Sequence, residues 1–291
     1  MPCLDDKKTL MNLIQLRNLF RENLCIPVKQ SDYIYKILIK ELCLIDPIKV
    51  SLEPTFDLNN IQIKKLKSSL SKLINNYPID YIINKKLFHG HEFYVNEKVL
   101  IPRPETEELV EWVISENIDK KNKQMIDLGS GSGCIGISIS KAAPNIKVIL
   151  SDFSKDALKV CRINKKKINA DVKIINFDLN QKKKINQKFD LIVSNPPYLL
   201  LENRNTIDEN VKYEPEAALF SPNSDPLHFY KKILDFAITN LNENGKVYLE
   251  INPIFVNDLS LLFKKYNVNE IDFKKDFRGN VRLVKLTFFS G

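Results

Sequence analysis

The sequence predicts an α/β protein: βαβ units on a mostly parallel sheet, preceded by a small helical domain. Three observations lead there. Before about residue 85, apolar residues recur at three- and four-residue spacing. From about residue 123, short β-branched runs alternate with helical stretches. Glycine is scarce, with 8 in 291 residues, where average usage would give about 20. Yet Gly129, Gly131, Gly133 and Gly136 crowd together directly after the first predicted strand of the sheet.

The elements follow in order. In TLMNLIQLRNLFREN, the spacing of Leu10, Leu13, Ile14, Leu16, Leu19 and Phe20 predicts a first helix. SDYIYKILIKELCLI predicts a second, opening at Ser31 with a capping Ser-Asp pair, and Pro47 follows its end. Ile61, Ile63, Leu66, Leu70, Leu73 and Ile74 predict a third helix that stops before Pro78. Residues 1–85 therefore read as a helical domain for recognition or support. Residues 86–101 turn aromatic and β-branched, with turn residues at His89-Gly90 and Asn96-Glu97, and predict a β-hairpin linker.

Residues 102–291 form the third segment. Pro102 and Pro104 stiffen an extended approach to a helix over Glu105–Ile114, whose acidic first turn suits the helix dipole. QMIDLG is a strand, the glycines follow, and a helix runs to about Ala143. IKVILSD is the next strand, then a helix over Ser154–Lys167, then strands in VKIINFD and FDLIVSN. A helix over Leu227–Leu241 leads to the strand GKVYLEI and a final hairpin of NEIDF and NVRLVKLTFF. Such alternation means a parallel sheet with a late antiparallel addition. Its ligands belong at the carboxyl ends of the strands.

Composition excludes several classes. With 44% apolar residues the chain is too hydrophobic to be disordered. No apolar run approaches the roughly 20 residues that span a bilayer, and MPCLDDKK is not a signal peptide. Cys3, Cys25, Cys43, Cys134 and Cys161 are widely spaced and odd in number, which fits a reducing cytosol without disulfides. They make no metal set with His89, His91 and His228, so no metal is expected. The net charge of +8 comes from 37 Lys and 7 Arg. A lysine-rich composition, as in Lys165–Lys167 and Lys182–Lys184, explains it as well as a nucleic-acid patch would.

Four motifs fall at strand ends. Asp127-Leu128-Gly129-Ser130-Gly131-Ser132-Gly133 lets the backbone turn tightly and pass close to a nucleotide. Residues 131–136 also fit G-x-G-x-x-G, so on this motif alone NAD remains open. Asp152, ending the second strand, can accept both ribose hydroxyls of NAD or of S-adenosylmethionine. Asp178-Leu179 sits where an adenine edge would lie. Asn195-Pro196-Pro197-Tyr198 decides between the cofactors. Proline fixes its own φ and restrains the residue before it. Asn195 then offers a side-chain acceptor, Pro196 a carbonyl and Tyr198 a stacking face, which together suit an NH2 group. That arrangement serves methylation of an amide or amino nitrogen and has no use in hydride transfer.

With these residues in place, the chain resembles the release-factor glutamine methyltransferases, the PrmC/HemK family, within the Rossmann-like seven-stranded class I methyltransferases. IPRPETEELVE (101–111), DLGSGSGCIGIS (127–138), SNPPY (194–198) and YEPEAALF (213–220) stand in the family's order and spacing. The resemblance implies N5-methylation of the glutamine in the GGQ motif of peptide chain release factors, with S-adenosylmethionine as cofactor, in the cytoplasm and without a stable nucleic-acid or membrane partner. It implies a cofactor site of Asp127, Gly129, Ser130, Gly131, Ser132, Gly133, Asp152, Phe153, Asp178, Leu179 and Asn195. It assigns Asn195, Pro196, Pro197 and Tyr198 to the substrate amide, and Arg103, Glu105 and Thr106 to a lid beside them. The chain departs from the family pattern at Leu179, at Ser221–Pro226 and at Asn252-Pro253 after Glu250. The rivals are a ribosomal-protein glutamine methyltransferase and a DNA or RNA amino-methyltransferase. A non-catalytic binding module fits least, because cofactor and acceptor motifs are both intact.

Overall fold

A computed structural model describes residues 11–120, 122–181, 185–266 and 268–288. Cys3, Leu10, Lys182–Lys184 and Gly291 lie outside the described residues. The chain divides into two compact units, Met1–Asn84 with Glu209–Tyr213, and Lys85–Asp208 with Glu214–Gly291.

The first unit holds helices α1 (Leu13–Asn23), α2 (Val28–Cys43) and α3 (Asn60–Ile74). Leu13, Leu16, Phe20, Leu38, Ile39 and Leu66 are fully buried between them. Tyr35 is buried too, because its hydroxyl donates to the Leu13 carbonyl at 2.8 Å. Two helix starts differ from expectation. Met11–Asn12 pairs as a short strand with Asp57–Leu58, so α1 begins at Leu13. Asn12 caps it, accepting from Gln15 N while the Gln15 side chain accepts from Asn12 N. Helix α2 begins at Val28, three residues before Ser31, because the Pro27 carbonyl already accepts from the Ser31 N–H. Ser31 is buried inside the helix, and Asp32 is held by Arg21 Nε at 2.6 Å.

The second unit opens with the hairpin β1 (Lys86–Phe88) and β2 (His91–Phe93). Its turn residues His89 and Gly90 both have positive φ, +46° and +73°, the two-residue geometry that matches strand twist. Helix α4 spans Pro104–Asn117, with Pro104 in the first turn where a missing N–H costs nothing. Then come β3 (Lys123–Leu128), α5 (Cys134–Ala142), β4 (Ile146–Asp152), α6 (Lys155–Ile168), β5 (Val172–Asn176) and β6 (Phe189–Ser194). Helix α7 (His228–Asn240), β7 (Leu241–Glu250), α8 (Val256–Lys265), β8 (Val268–Lys275) and β9 (Val281–Phe288) complete it.

Seven strands form one sheet in the order β8-β9-β7-β6-β3-β4-β5. Strands β3 to β7 run parallel, and β9 runs antiparallel to both neighbours. The sheet's two faces alternate as pleating requires. Met125, Leu191, Val193 and Tyr248 pack with α4 and α5. Ile126, Leu128, Ile192, Val247 and Leu249 pack with α7 and α8. Helix α8 is absent from the sequence expectations, although Leu259, Leu262 and Phe263 form its buried face. The chain reverses its direction of strand addition at β3, which lies between β4 and β6. Crevices outside the carboxyl ends at such a switch point are where ligands bind.

Candidate active site

Serine hydroxyls fasten the carboxyl ends of the central strands. Ser151 Oγ donates to the Asp127 carbonyl at 2.9 Å and Ser194 Oγ to the Leu128 carbonyl at 2.7 Å. Above them lies a cavity of about 280 Å³, close to the lower end of the roughly 300–1,000 Å³ typical of small-molecule sites. Val99, Gly129, Gly131, Asp152, Phe153 and Leu179 are among its walls, with Asp178, Asn195, Pro196 and Pro197.

The glycine loop leaves the sheet by two bonds, Gly129 N and Ser130 N both donating to the Ser151 carbonyl at 2.9 Å. Gly129, Gly131 and Gly133 have φ of +74°, +53° and +83°, which side chains strongly disfavour. The space beside Gly129 and Gly131 where a Cβ would sit is open. Gly136 serves packing instead, since a Cβ there would lie 2.1 Å from Leu150 Cδ2. Asp127 is fully buried beneath the loop, and its Oδ2 accepts from Gly136 N at 3.0 Å. Burial pushes its carboxyl up to about 7.

Asp152 faces the cavity with both oxygens already oriented. Oδ2 accepts from Gly131 N and Oδ1 from Ser154 N, each at 2.9 Å. Burial raises its pKa, while those N–H groups pull the other way. Each carboxylate oxygen retains acceptor capacity for a hydroxyl. Asp178 is fixed by Asn180 N at 2.9 Å and Gln181 Nε2 at 3.1 Å.

On the opposite wall, Asn195 donates from Nδ2 to Glu250 Oε2 at 2.9 Å and to Thr106 Oγ1 at 3.2 Å. Thr106 donates in turn to the same Glu250 oxygen at 2.6 Å. Asn195 Oδ1 has no partner among the described residues. The chain after Tyr198 is strapped down, with Leu199 N donating to the Leu219 carbonyl at 3.0 Å and Ser221 N to the Leu199 carbonyl at 2.8 Å. Arg103 Nη2 donates to Glu214 Oε1 at 2.5 Å, and Ile101 N to Glu214 Oε2 at 3.0 Å.

The predicted residues thus divide. Gly129, Gly131, Asp152, Phe153, Asp178, Leu179, Asn195, Pro196 and Pro197 line the cavity. Asp127, Ser130 and Ser132 are buried below it and Gly133 packs against Cys161 and Ile137, so these four shape the loop rather than the wall. Tyr198, next in the chain, packs partly buried against the α7 side of the sheet core and is not among the residues lining the cavity. Arg103, Glu105 and Thr106 stand behind the wall, with Glu105 paired to Arg278 at 3.3 Å. Sequence reasoning missed three buried partners: Glu250, Glu214 and Asn164. Asn164 accepts from Tyr94 N at 2.6 Å and donates to the Tyr94 and Ser132 carbonyls, both at 2.9 Å, tying the glycine loop to the segment after β2.

Comparisons with known proteins agree with this architecture. A family model described as Methyltransferase small domain matches residues 109–212. The release factor glutamine methyltransferase of Flavobacterium psychrophilum is 40% identical over 264 residues, 89% of this chain and 93% of its own. That of Leptospira interrogans is 35% identical over 288 residues, 96% of this chain and 98% of its own. Among solved structures, a methyltransferase from Pyrococcus furiosus aligns with a TM-score of 0.54 at 18% identity, covering 77% of this chain and all of the other. That likeness bears on the fold alone.

Proposed function

Because the chain belongs to the release factor glutamine methyltransferase family, we propose that it methylates N5 of the glutamine in the GGQ motif of peptide chain release factors. S-adenosylmethionine is the cofactor and supplies a sulfonium-activated methyl group, so the cofactor carries the hard chemistry. The observation that carries the reading is Asn195, held at the mouth of the parallel sheet with Nδ2 engaged and Oδ1 without a partner among the described residues.

The cofactor fits this chain's own residues. The open backbone at Gly129 and Gly131 admits close approach, Asp152 would hold the ribose hydroxyls, and Phe153, Asp178 and Leu179, which line the same cavity, would border the adenine. Asp127, Ser130, Ser132 and Gly133 support that loop from beneath. Asn195 Oδ1 and the Pro196 carbonyl accept the two N–H bonds of the substrate amide. Pro197 keeps their geometry rigid, and Tyr198 offers the substrate a stacking face beside them. A planar amide nitrogen is a poor nucleophile because its lone pair is delocalised. Fixed acceptors orient it and stabilise the positive charge that grows on it during transfer.

The first 85 residues serve substrate recognition, 86–101 link, and 102–291 catalyse. No stable nucleic-acid partner and no membrane are needed for this reaction, and the cytoplasm is its place. Among the described residues no helix is long and apolar enough to cross a membrane. A ribosomal-protein target is the neighbouring alternative, and the release-factor relatives favour the GGQ glutamine over it. Mass spectrometry of a release factor after incubation with enzyme and cofactor tests the choice. One added methyl group on the GGQ glutamine is expected, and a methyl group elsewhere or none contradicts it.

A further inference from the structure

Asn195 can act as an acceptor only if its amide is turned the right way round. The two ends of an asparagine amide have nearly the same shape, so packing alone does not select one. If Nδ2 faced the substrate, two NH2 groups would oppose each other. What lies behind Asn195 therefore decides what it offers in front.

Behind it lies Glu250, the last residue of β7. An ionised carboxylate only accepts hydrogen bonds. Its Oε2 takes one from Asn195 Nδ2 and one from Thr106 Oγ1. Thr106, having given its proton to Glu250, offers Nδ2 a second acceptor at 3.2 Å. Both neighbours of Nδ2 are thus acceptors, and neither has a proton to give Oδ1 in that arrangement. Glu250 is itself held from other sides. The Tyr230 hydroxyl donates to its main-chain carbonyl at 3.2 Å, and Glu250 pairs with Leu283 of β9 in the sheet.

We propose that Glu250 is a positioning residue of the methyl transfer: acting with Thr106, it sets the rotation of the Asn195 amide so that Oδ1 faces the substrate nitrogen. This rests on the acceptor role of Asn195 in the proposed function. It also explains why a carboxylate is 3% exposed at the end of a central strand, an expensive place for a charge. Burial pushes the Glu250 carboxyl up to about 7, against the Thr106 bond and the positive charges of Arg282 and Arg103, while Glu105 adds to the rise. Tyr198, Tyr230, Cys134 and the Arg282 partner Asp276 are its other titratable and charged neighbours. Once protonated, Glu250 can donate as well as accept, and the selection of Nδ2 is lost.

A second-site swap in the full-length enzyme tests the assignment. Asn195→Asp alone sets two carboxylates against each other and should lose methylation of a release factor. Adding Glu250→Gln places an NH2 behind the new carboxylate, which can then present its other oxygen to the substrate. The double variant is expected to exceed the Asn195→Asp single variant in kcat by roughly tenfold or more, since a misplaced contact costs about a hundredfold. Cofactor affinity should match between the two. Glu250→Leu is expected to lower kcat far more than it changes the cofactor KM. A double variant no faster than the single one overturns the proposal, as does Glu250→Leu at full kcat. If Asn195→Ala itself turns over normally, the acceptor role has failed instead, and Glu250 has nothing to position.

Discussion

Arg103 and Glu214 join the two stretches of chain that face each other across the cavity. The Arg103 guanidinium meets Glu214 Oε1 at 2.5 Å, while Glu214 Oε2 takes the Ile101 N–H at 3.0 Å. Val99 and Leu100 on one side and Pro215, Ala217 and Ala218 on the other line the same cavity. A carboxylate buried to 4% exposure thereby holds both walls at once. Charge-assisted bonds of this kind contribute about 1.5–3 kcal/mol each. We predict that Glu214→Gln or Arg103→Ala raises the cofactor Kd by about tenfold, roughly 1.4 kcal/mol. Equilibrium binding measures it, and unchanged affinity in both variants would show that the wall stands without this pair.

Asn195 should separate binding from chemistry. In the proposed reaction its side chain meets the substrate amide, while the cavity walls on the other side are built mainly by β3, β4 and the loops after them. Asn195→Ala is predicted to abolish transfer and to keep cofactor affinity within about tenfold, roughly 1.4 kcal/mol. Near-normal turnover in that variant would refute the acceptor role.

Gly131 and Gly136 should fail in different ways. A Cβ on Gly131 meets open space but projects from a backbone at φ +53°, beside the cavity. A Cβ on Gly136 collides with Leu150 and approaches Asp127 Oδ2 at 3.1 Å. Gly136→Ala is expected to destabilise the fold by about 1–3 kcal/mol through overpacking. Gly131→Ala is expected to weaken cofactor binding more than it lowers the melting temperature. Denaturant titration alongside ligand binding distinguishes them, and equal losses of stability would contradict the assignment of one glycine to packing and the other to the ligand.

Stability should fall as pH rises from mildly acid to neutral. Asp127 and Glu250 are each raised by burial to about 7, and burial raises Asp152 as well. Unfolded carboxyls titrate near 4. Between those limits these carboxyls bind more protons in the folded chain than in the unfolded one and draw stability down with pH until about 7, outweighing His91 and His228, whose pKa values burial lowers and which act the other way near neutrality. Glu116 does not oppose this in the same window. Its folded pKa is lowered to about 2, so its contribution is present above the unfolded pKa and is lost only as pH falls towards 2. A higher melting temperature at pH 5.5 than at pH 7.5 is predicted, with Asp127→Asn reducing the difference. A melting temperature that rises over that interval would contradict it.

Much of the site was legible because its chemistry is local in the chain. Gly129, Asp152, Asp178 and Asn195 each stand at or just past the end of a strand, and alternation of strands and helices is enough to gather strand ends. What escaped were residues whose meaning depends on a distant partner. Glu250 acts on Asn195 across 55 residues, Asn164 on Tyr94 across 70 and Glu214 on Ile101 across 113. Nothing near a glutamate in a strand reveals what will face it. The start of α2 was misplaced because Ser31 carries the local signature of a cap, yet Pro27 begins the helix earlier.

The central claim is that this chain methylates the amide of one glutamine in a release factor. Transfer of labelled methyl from S-adenosylmethionine should be compared across a purified release factor, the same factor with its GGQ glutamine changed to alanine, a ribosomal protein and duplex DNA. Label is predicted in the unaltered release factor and in none of the other three. Equal label in the alanine variant, or label carried mainly by the ribosomal protein or the DNA, would contradict the claim.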